Sequence, residues 1–398
     1  MVERSQLEGR LLGLYIHIPF CLSKCTYCDF FSIPSKERVP QAYVDALCNE
    51  IREGFYGARC KVDSVYVGGG TPSLLSSFQL RMLFSCIKEL VPLTKQPEIT
   101  IEINPDDLSS QLLAVLEECG VNRISCGIQS LNDNSLTFCK RRANSKTNLS
   151  ALSLLKNKWK HEYSFDLICG LPEESQESFL EGLKTLVSFK PSHISMYSLT
   201  IEEETPLGQA FLQNKFSYNY DFADSLWLSA RDFLEKNAYK QYEVSNFCLE
   251  GKESKHNLKY WTRADYAGCG CGATGSLYFE GGKALRTTNI NNIDLYTSYY
   301  LNSKVNRLSS VKPFEIEEIS ESQGEFEFFM MTLRTLKGFS NLDYLRNFNK
   351  QLPLNFQKLF EKWQQKGLAV KRETEEEIFY SLGKDGVIYL NTFLQELL

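Results

Sequence analysis

Three cysteines stand together in an otherwise apolar stretch: Cys21, Cys25 and Cys28, spaced Cys-x3-Cys-x2-Cys immediately after Pro19 and Phe20. Thiolates this close in sequence are first of all metal ligands. A structural zinc ion takes four protein ligands, and the position where a further Cys-x-Cys step would supply one is Phe30. Three cysteines around a [4Fe–4S] cluster instead leave one iron without a protein thiolate. An open iron is what such a cluster needs to bind and activate a second molecule. Phe20, Tyr27, Phe30 and Phe31 would shield it from water. A zinc site and three unrelated core cysteines are the alternatives.

Other residues could serve a ligand beside that loop. Gly69, Gly70 and Thr71 follow an apolar run, where a missing Cβ lets backbone groups approach a bound molecule; a plain tight turn is the bland reading. Glu102 and Asp166 lie in or at the end of apolar runs, where a carboxylate is costly unless paired. Cross-strand salt bridges would also explain them. Of four histidines, His17 and His193 read as core residues and His161 as exposed. His256 stands among Asn257, Tyr260 and Trp261, amide and aromatic groups that suit either a haem ligand with a covered porphyrin face or an ordinary buried polar cluster.

The elements that must position these residues alternate. Strand-like runs are predicted at 14–19, 62–67, 98–104, 123–129, 163–169 and 193–200, with helices at 41–55, 78–91, 110–119, 148–158 and 175–189. Strands that read as nearly continuous apolar runs between helices indicate a parallel sheet covered by helices. Six such units make an α/β fold, either doubly wound or an incomplete (β/α)6 parallel barrel, with chemistry at the carboxyl ends of the strands. The second is the expectation adopted. A helix at helical spacing through Phe222, Leu226, Ala230 and Leu234 follows, then a Gly-rich stretch at 266–275. A linker is expected at 303–315. Beyond it lies a small C-terminal α+β module, winged-helix-like, with a helix through Phe356, Leu359, Phe360 and Trp363 and strands near Ala369 and Ile388. The expected division is 1–215, 216–302 and 303–398.

Composition narrows the class. The 398 residues are 43% hydrophobic and 23% charged, with a formal net charge of −5. That is globular, and without a basic block it offers no footing for nucleic acid. No apolar run is long enough to span a membrane, and 11–21 lacks the marks of a secretory signal. Thirteen cysteines in a chain of this length do not form a secreted disulfide framework. The expected location is the cytoplasm.

The segments 15–21 (YIHIPFC), 68–74 (GGGTPSL), 102–105 (EINP), 122–130 (NRISCGIQS), 166–172 (DLICGLP) and 256–261 (HNLKYW) together resemble the radical S-adenosylmethionine superfamily. The likeness is nearest to the branch that holds oxygen-independent coproporphyrinogen III oxidase and its haem-chaperone relatives, dense over about 14–275 and thinner beyond. It implies a [4Fe–4S] cluster on Cys21, Cys25 and Cys28. S-adenosylmethionine would chelate the open iron, and reducing its sulfonium would yield a deoxyadenosyl radical. Tyr15, Gly69, Gly70, Thr71, Glu102, Gln129, Arg141 and Asp166 would bind that cofactor. His256, Asn257, Tyr260 and Trp261 match the HNxxYW signature of the chaperone branch and would hold haem for transfer to an acceptor protein. Phe30 replaces the fourth cysteine of the oxidases, and the segment before the first strand is short; both weigh against coproporphyrinogen oxidation. Thr274 stands where the chaperones often carry histidine, and Cys269 and Cys271 read as packing residues. No catalytic residue is assigned.

Overall fold

A computed structural model of the chain describes residues 4–35, 38–302 and 312–398. Six parallel strands form its centre: β1 (Leu11–Ile18), β2 (Lys61–Gly69), β3 (Leu93–Ile103), β4 (Arg123–Gln129), β5 (Glu162–Cys169) and β6 (His193–Ser198). The helices between them are α1 (Gln41–Phe55), α2 (Ser77–Leu90), α3 (Ser110–Glu118), α4 (Ser145–Lys158) and α5 (Gln176–Ser188). Each of β1 to β6 pairs with the next in parallel register. Strand order therefore follows chain order, with no reversal of direction along the sheet. A doubly wound sheet requires that reversal, so the incomplete barrel is the architecture.

Later strands extend both ends, with α6 (Tyr220–Lys236), α7 (Lys255–Trp261) and α8 (Ile293–Leu301) among them. β7 (Lys240–Gln241) and β8 (Asn246–Cys248) add antiparallel beyond β6. β9 (Tyr266–Cys269) runs parallel to β1, and β10 (Thr274–Tyr278), β11 (Ala284–Asn289) and β12 (Phe314–Ile319) continue outward antiparallel. One sheet of twelve strands results.

Side chains divide by strict alternation. Ile16, Val65, Val67, Ile101, Ile124, Cys126, Phe165, Leu167, Ile194 and Met196 point outward and are buried against the helices. The intervening row is polar or lacks a side chain: Tyr66, Thr100, Glu102, Ser125, Gly127, Ser164, Asp166 and Ser195. The strands are thus not uniformly apolar; the run of hydrophobes belongs to one face, and the inner face is built for something wet.

Helix α1 fastens the extension to the barrel. Its Glu50 is fully buried with no salt-bridge partner among the described residues, yet accepts bonds from Gly270 N–H (2.7 Å), Asn289 Nδ2 (2.7 Å), Tyr296 Oη (2.5 Å) and Tyr300 Oη (3.3 Å). Tyr43 on the same helix donates its hydroxyl to His17 O and accepts from Cys271 N–H. Cys269 and Cys271 are free and buried, packing residues as read from the sequence.

A second apolar core, with Phe328, Phe329, Phe339, Phe356 and Phe360 at its centre, organises the C-terminal part. There α9 (Glu321–Thr332), α10 (Asn341–Phe348) and α11 (Leu354–Gln365) meet a three-stranded sheet of β13 (Phe339–Ser340), β14 (Ala369–Glu373) and β15 (Ile378–Leu382). The second strand expected near Ile388 lies instead at 378–382. Ile388 sits in one turn of 3-10 helix, because Leu390, Phe393 and Leu394 already carry a helical period. Residues 303–311 of the expected linker lie outside the described residues. No described helix is long and apolar enough to cross a membrane.

Glu50→Ala leaves buried donors without an acceptor and is expected to lower stability by about 3 kcal/mol. Urea unfolding of the full chain measures this, and an unchanged midpoint would refute the clamp.

Candidate functional site

A chamber of about 420 Å³ occupies the barrel interior, entered beside the cysteine loop. Its upper wall is made where strands end. Phe20–Cys21 pairs in parallel with Ile33–Pro34, closing the loop that carries Cys21, Cys25 and Cys28. At the end of β2 stand Gly69, its last residue, and then Gly70 and Thr71, all lining the chamber. The Cβ positions these glycines lack are taken by protein: one at Gly69 would lie 2.6 Å from the His17 ring, and one at Gly70 2.8 Å from Phe20 N. At the end of β4 the register shifts by one residue between Gly127 and Gln129, and Gln129 adopts φ 67°. Such bulges re-aim a side chain; Gln129 faces the chamber.

The thiols are free and contacted from two sides. Thr71 Oγ1 donates to Cys21 Sγ (3.4 Å), and Arg141 Nη1 to Cys25 Sγ (3.6 Å). Arg141 is held by Gly127 O (2.6 Å) and Asn104 Oδ1 (3.2 Å), while Asn104 also donates to Thr71. Burial pushes the Cys28 thiol up to about 11. Among the described residues no three His, Cys, Asp or Glu side chains converge on a single metal ion.

Deeper in the chamber stand the two carboxylates. Glu102 accepts from Tyr66 Oη (2.8 Å) and Gly69 N–H (3.1 Å). Burial raises its pKa to about 7, Asp166 adding to the rise. Asp166 accepts from Ser125 Oγ (2.8 Å) and from Ser195; burial raises it too. Neither carboxylate has a salt-bridge partner among the described residues, so the alternative of cross-strand ion pairs does not describe them. Tyr15 does not reach the chamber. Its hydroxyl bonds His17 Nδ1 (2.8 Å) and its ring lies against Tyr66.

The 256–261 segment forms α7 (Lys255–Trp261), a short helix under the amino ends of β2 and β3. Glu98 takes the N–H groups of Lys255 and His256 at its start. Gly13 makes room for it, since a Cβ there would lie 2.7 Å from Lys259 and 3.2 Å from His256. The four signature residues face different ways. Asn257 lines the chamber floor. His256 is wholly buried, with Nδ1 bonded to Ser64 Oγ (3.1 Å) and Nε2 to Tyr260 Oη (2.8 Å). Trp261 carries the Arg334 guanidinium over its ring at 4.5 Å. His256, Tyr260 and Trp261 are absent from the chamber wall.

The chamber suits a polar ligand. Arg141 Nε, His193 Nδ1 and Thr100 Oγ1, all on residues of its wall, are buried without a partner. Sequence reading missed Tyr66, Ser125, Ser195 and Tyr197, which period-two alternation within each strand would have found.

The chain matches the Radical SAM superfamily over residues 15–186. It is 34% identical to heme chaperone HemW of Buchnera aphidicola (subsp. Acyrthosiphon pisum) over 341 residues, 85% of this chain and 86% of that relative. The chain belongs to the HemW family. HemW of Escherichia coli K12 is likewise 34% identical, over 84% of this chain and 85% of that one. HemW of Bacillus subtilis is 30% identical over 90% and 93%. Among solved structures, coproporphyrinogen III oxidase (HemN) from E. coli superposes with a TM-score of 0.78, covering 99% of this chain and 92% of that one at 20% identity. That likeness shows the fold.

In this HemW-family chain burial holds the His256 imidazole neutral, its pKa lowered to about 3, with Lys259 adding to the drop. The unfolded chain takes up that proton near pH 6.5, so His256 stabilises the fold above about 6.5 and loses that contribution as pH falls toward 3. His256→Gln, whose amide can replace both bonds, is expected to flatten the acid limb by about 1.4 kcal/mol per pH unit. Urea midpoints at several pH values between neutral and mildly acid compare the two. Parallel curves would show that folded His256 accepts its proton.

Proposed function

We propose that the chain is a haem chaperone on a radical S-adenosylmethionine scaffold: it binds haem and passes it to an acceptor protein, and acts in the cytoplasm. What carries the reading is the extent of likeness to proteins described as heme chaperones, 86% of one relative's length at 34% identity. Phe30, in place of a fourth cysteine, points the same way and away from coproporphyrinogen III oxidation. The oxidase's fold alone, at 20% identity, lends no activity.

Cys21, Cys25 and Cys28 hold the [4Fe–4S] cluster, and S-adenosylmethionine fills the chamber beside it. Together the two groups supply one-electron chemistry when bound. The protein's part is positioning. Arg141 and Thr71 donate hydrogen bonds to the sulfurs of Cys25 and Cys21 and so fix where those sulfurs point. Glu102 and Asp166 offer acceptors to ammonium and hydroxyl donors, and Gln129 and Asn257 add amides. Ser125 and Ser195 keep Asp166 oriented, and Tyr66 does so for Glu102. The triplet Gly68 to Gly70 keeps this wall thin. Tyr15 backs it through Tyr66.

Replacing all three loop cysteines with alanine is expected to abolish the iron and sulfide content of anaerobically reconstituted protein; full occupancy would overturn the cluster assignment. Asp166→Ala should keep the cluster and weaken S-adenosylmethionine binding by about 1–3 kcal/mol, read by anaerobic titration. Wild-type protein given coproporphyrinogen III, reductant and S-adenosylmethionine should form no protoporphyrinogen, whereas it should bind haemin; the reverse pair of results would make it an oxidase.

A further inference from the structure

Beyond the loop of Cys21, Cys25 and Cys28, the cysteines differ in what surrounds them. Cys126, Cys139, Cys169, Cys269 and Cys271 have no exposed surface. Cys48 and Cys86 sit on neighbouring helices, one on α1 and the other on α2, and 5% and 8% of their surface is exposed. Cys86 Sγ lies 3.6 Å from Cys48 O, and the two thiols hydrogen-bond one another. Both are free.

The pair lies at the rim of the groove between the helices. Arg52, one turn beyond Cys48, is exposed, as are Ser85 and Glu89 beside Cys86. On the inner side Leu47, Ile51, Leu83 and Ile87 are buried. The polar edge gives a water-sized molecule a route to the sulfurs, while the apolar side holds both helices in place.

The two sulfurs are chemically unequal. The hydrogen bond from Cys48 lowers the pKa of Cys86 against the effect of burial, and the Arg52 cation adds to the drop. The same bond, with burial, raises Cys48. Thiolates are the nucleophiles of thiol oxidation. Cys86 is therefore the attacking sulfur and Cys48 the resolving one, already in contact with it.

We propose that Cys48 and Cys86 form an oxidation site, which a hydroperoxide converts to a disulfide strapping α1 to α2 and a dithiol reductant restores. The Cys86 thiolate attacks one peroxide oxygen, the O–O bond breaks, and a sulfenic acid and hydroxide result. The Cys48 sulfur then attacks the sulfenyl sulfur; the S–O bond breaks and the oxygen leaves as water with the Cys48 proton. With hydrogen peroxide, two thiols and one peroxide give one disulfide and two waters. The sulfurs lose two electrons and the peroxide gains them. Disulfides of this kind in reducing compartments are transient and redox-sensing. Helix α1 also carries Glu50 and Tyr43, which bond the Gly270 turn and β1. The strap thus keeps the base of the cysteine loop folded under the oxidants that attack the loop's own thiols. The inference stands apart from the haem-chaperone reading.

The full chain is treated with hydrogen peroxide, quenched, unfolded, alkylated and digested for mass spectrometry. The expected product is a peptide pair joined at Cys48 and Cys86 that dithiothreitol separates. In Cys48→Ser, Cys86 should persist as a sulfenic acid captured by dimedone; in Cys86→Ser, Cys48 should stay a thiol. Oxidation should raise the urea midpoint of the wild-type chain and of a variant with all three loop cysteines replaced by alanine, but not that of Cys86→Ser. Full alkylation of both thiols after peroxide, linkage of Cys86 to any other cysteine, or dimedone on Cys48 in Cys86→Ser would overturn the site.

Discussion

A parallel sheet whose outer row is apolar and whose inner row is mostly polar is stable only if most of the inner polar groups find a partner. The outer row settles that requirement on one side by packing against α1 to α5. On the inner side no second sheet or helix bundle fills the space. Instead, serine hydroxyls are shared across neighbouring strands: Ser125 reaches both Ser164 and Asp166. A few atoms stay unpaired among the described residues, namely Thr100 Oγ1, His193 Nδ1 and Arg141 Nε. Unpaired buried polar atoms cost free energy in an apolar space and invite a polar guest. The chamber exists because the sheet is curved and the alternation is strict.

The two ends of that barrel are finished differently. The carboxyl ends carry short irregular segments, where the glycine triplet, the bulge at Gln129 and the cysteine loop crowd together. Their shared element is Arg141, which ties β3, β4 and the loop at one point. The amino ends are shut by α7, a helix too short to stand alone and therefore anchored by Glu98 at its start and Trp261 at its end. The aromatic and amide groups of the signature are divided among three jobs: Asn257 faces inward, His256 and Tyr260 lock to each other, and Trp261 meets the C-terminal part.

Much of this was legible in the sequence where the signal is local. The spacing of the three cysteines is local, and so is the period of each helix; α1 and β4 lie where the apolar pattern puts them. Strand order was not legible, because βα repeats look alike whether the sheet winds one way or two. Nor were Ser125 and Ser195, small residues lost inside runs read as continuous hydrophobe. The setting of His256 was out of reach for a different reason: its helix is aimed by Glu98, well over a hundred residues earlier, and no local pattern carries such a contact. The C-terminal strand misplaced at Ile388 shows the converse error, in which a short apolar run fitted two periods and the wrong one was taken.

The Glu50 clamp has a consequence for how the molecule opens. Because the same helix carries Tyr43, which bridges the backbone of β1 and the Gly270 turn, the amides of Gly270 and Cys271 are covered by bonds that hold the first strand as well. Their protons exchange with solvent only when α1 leaves the sheet, an event that also dissolves the exit of β1 and with it the cysteine loop. The antiparallel extension and the cysteine loop thus belong to one cooperative unit, although some two hundred and fifty residues of chain separate them.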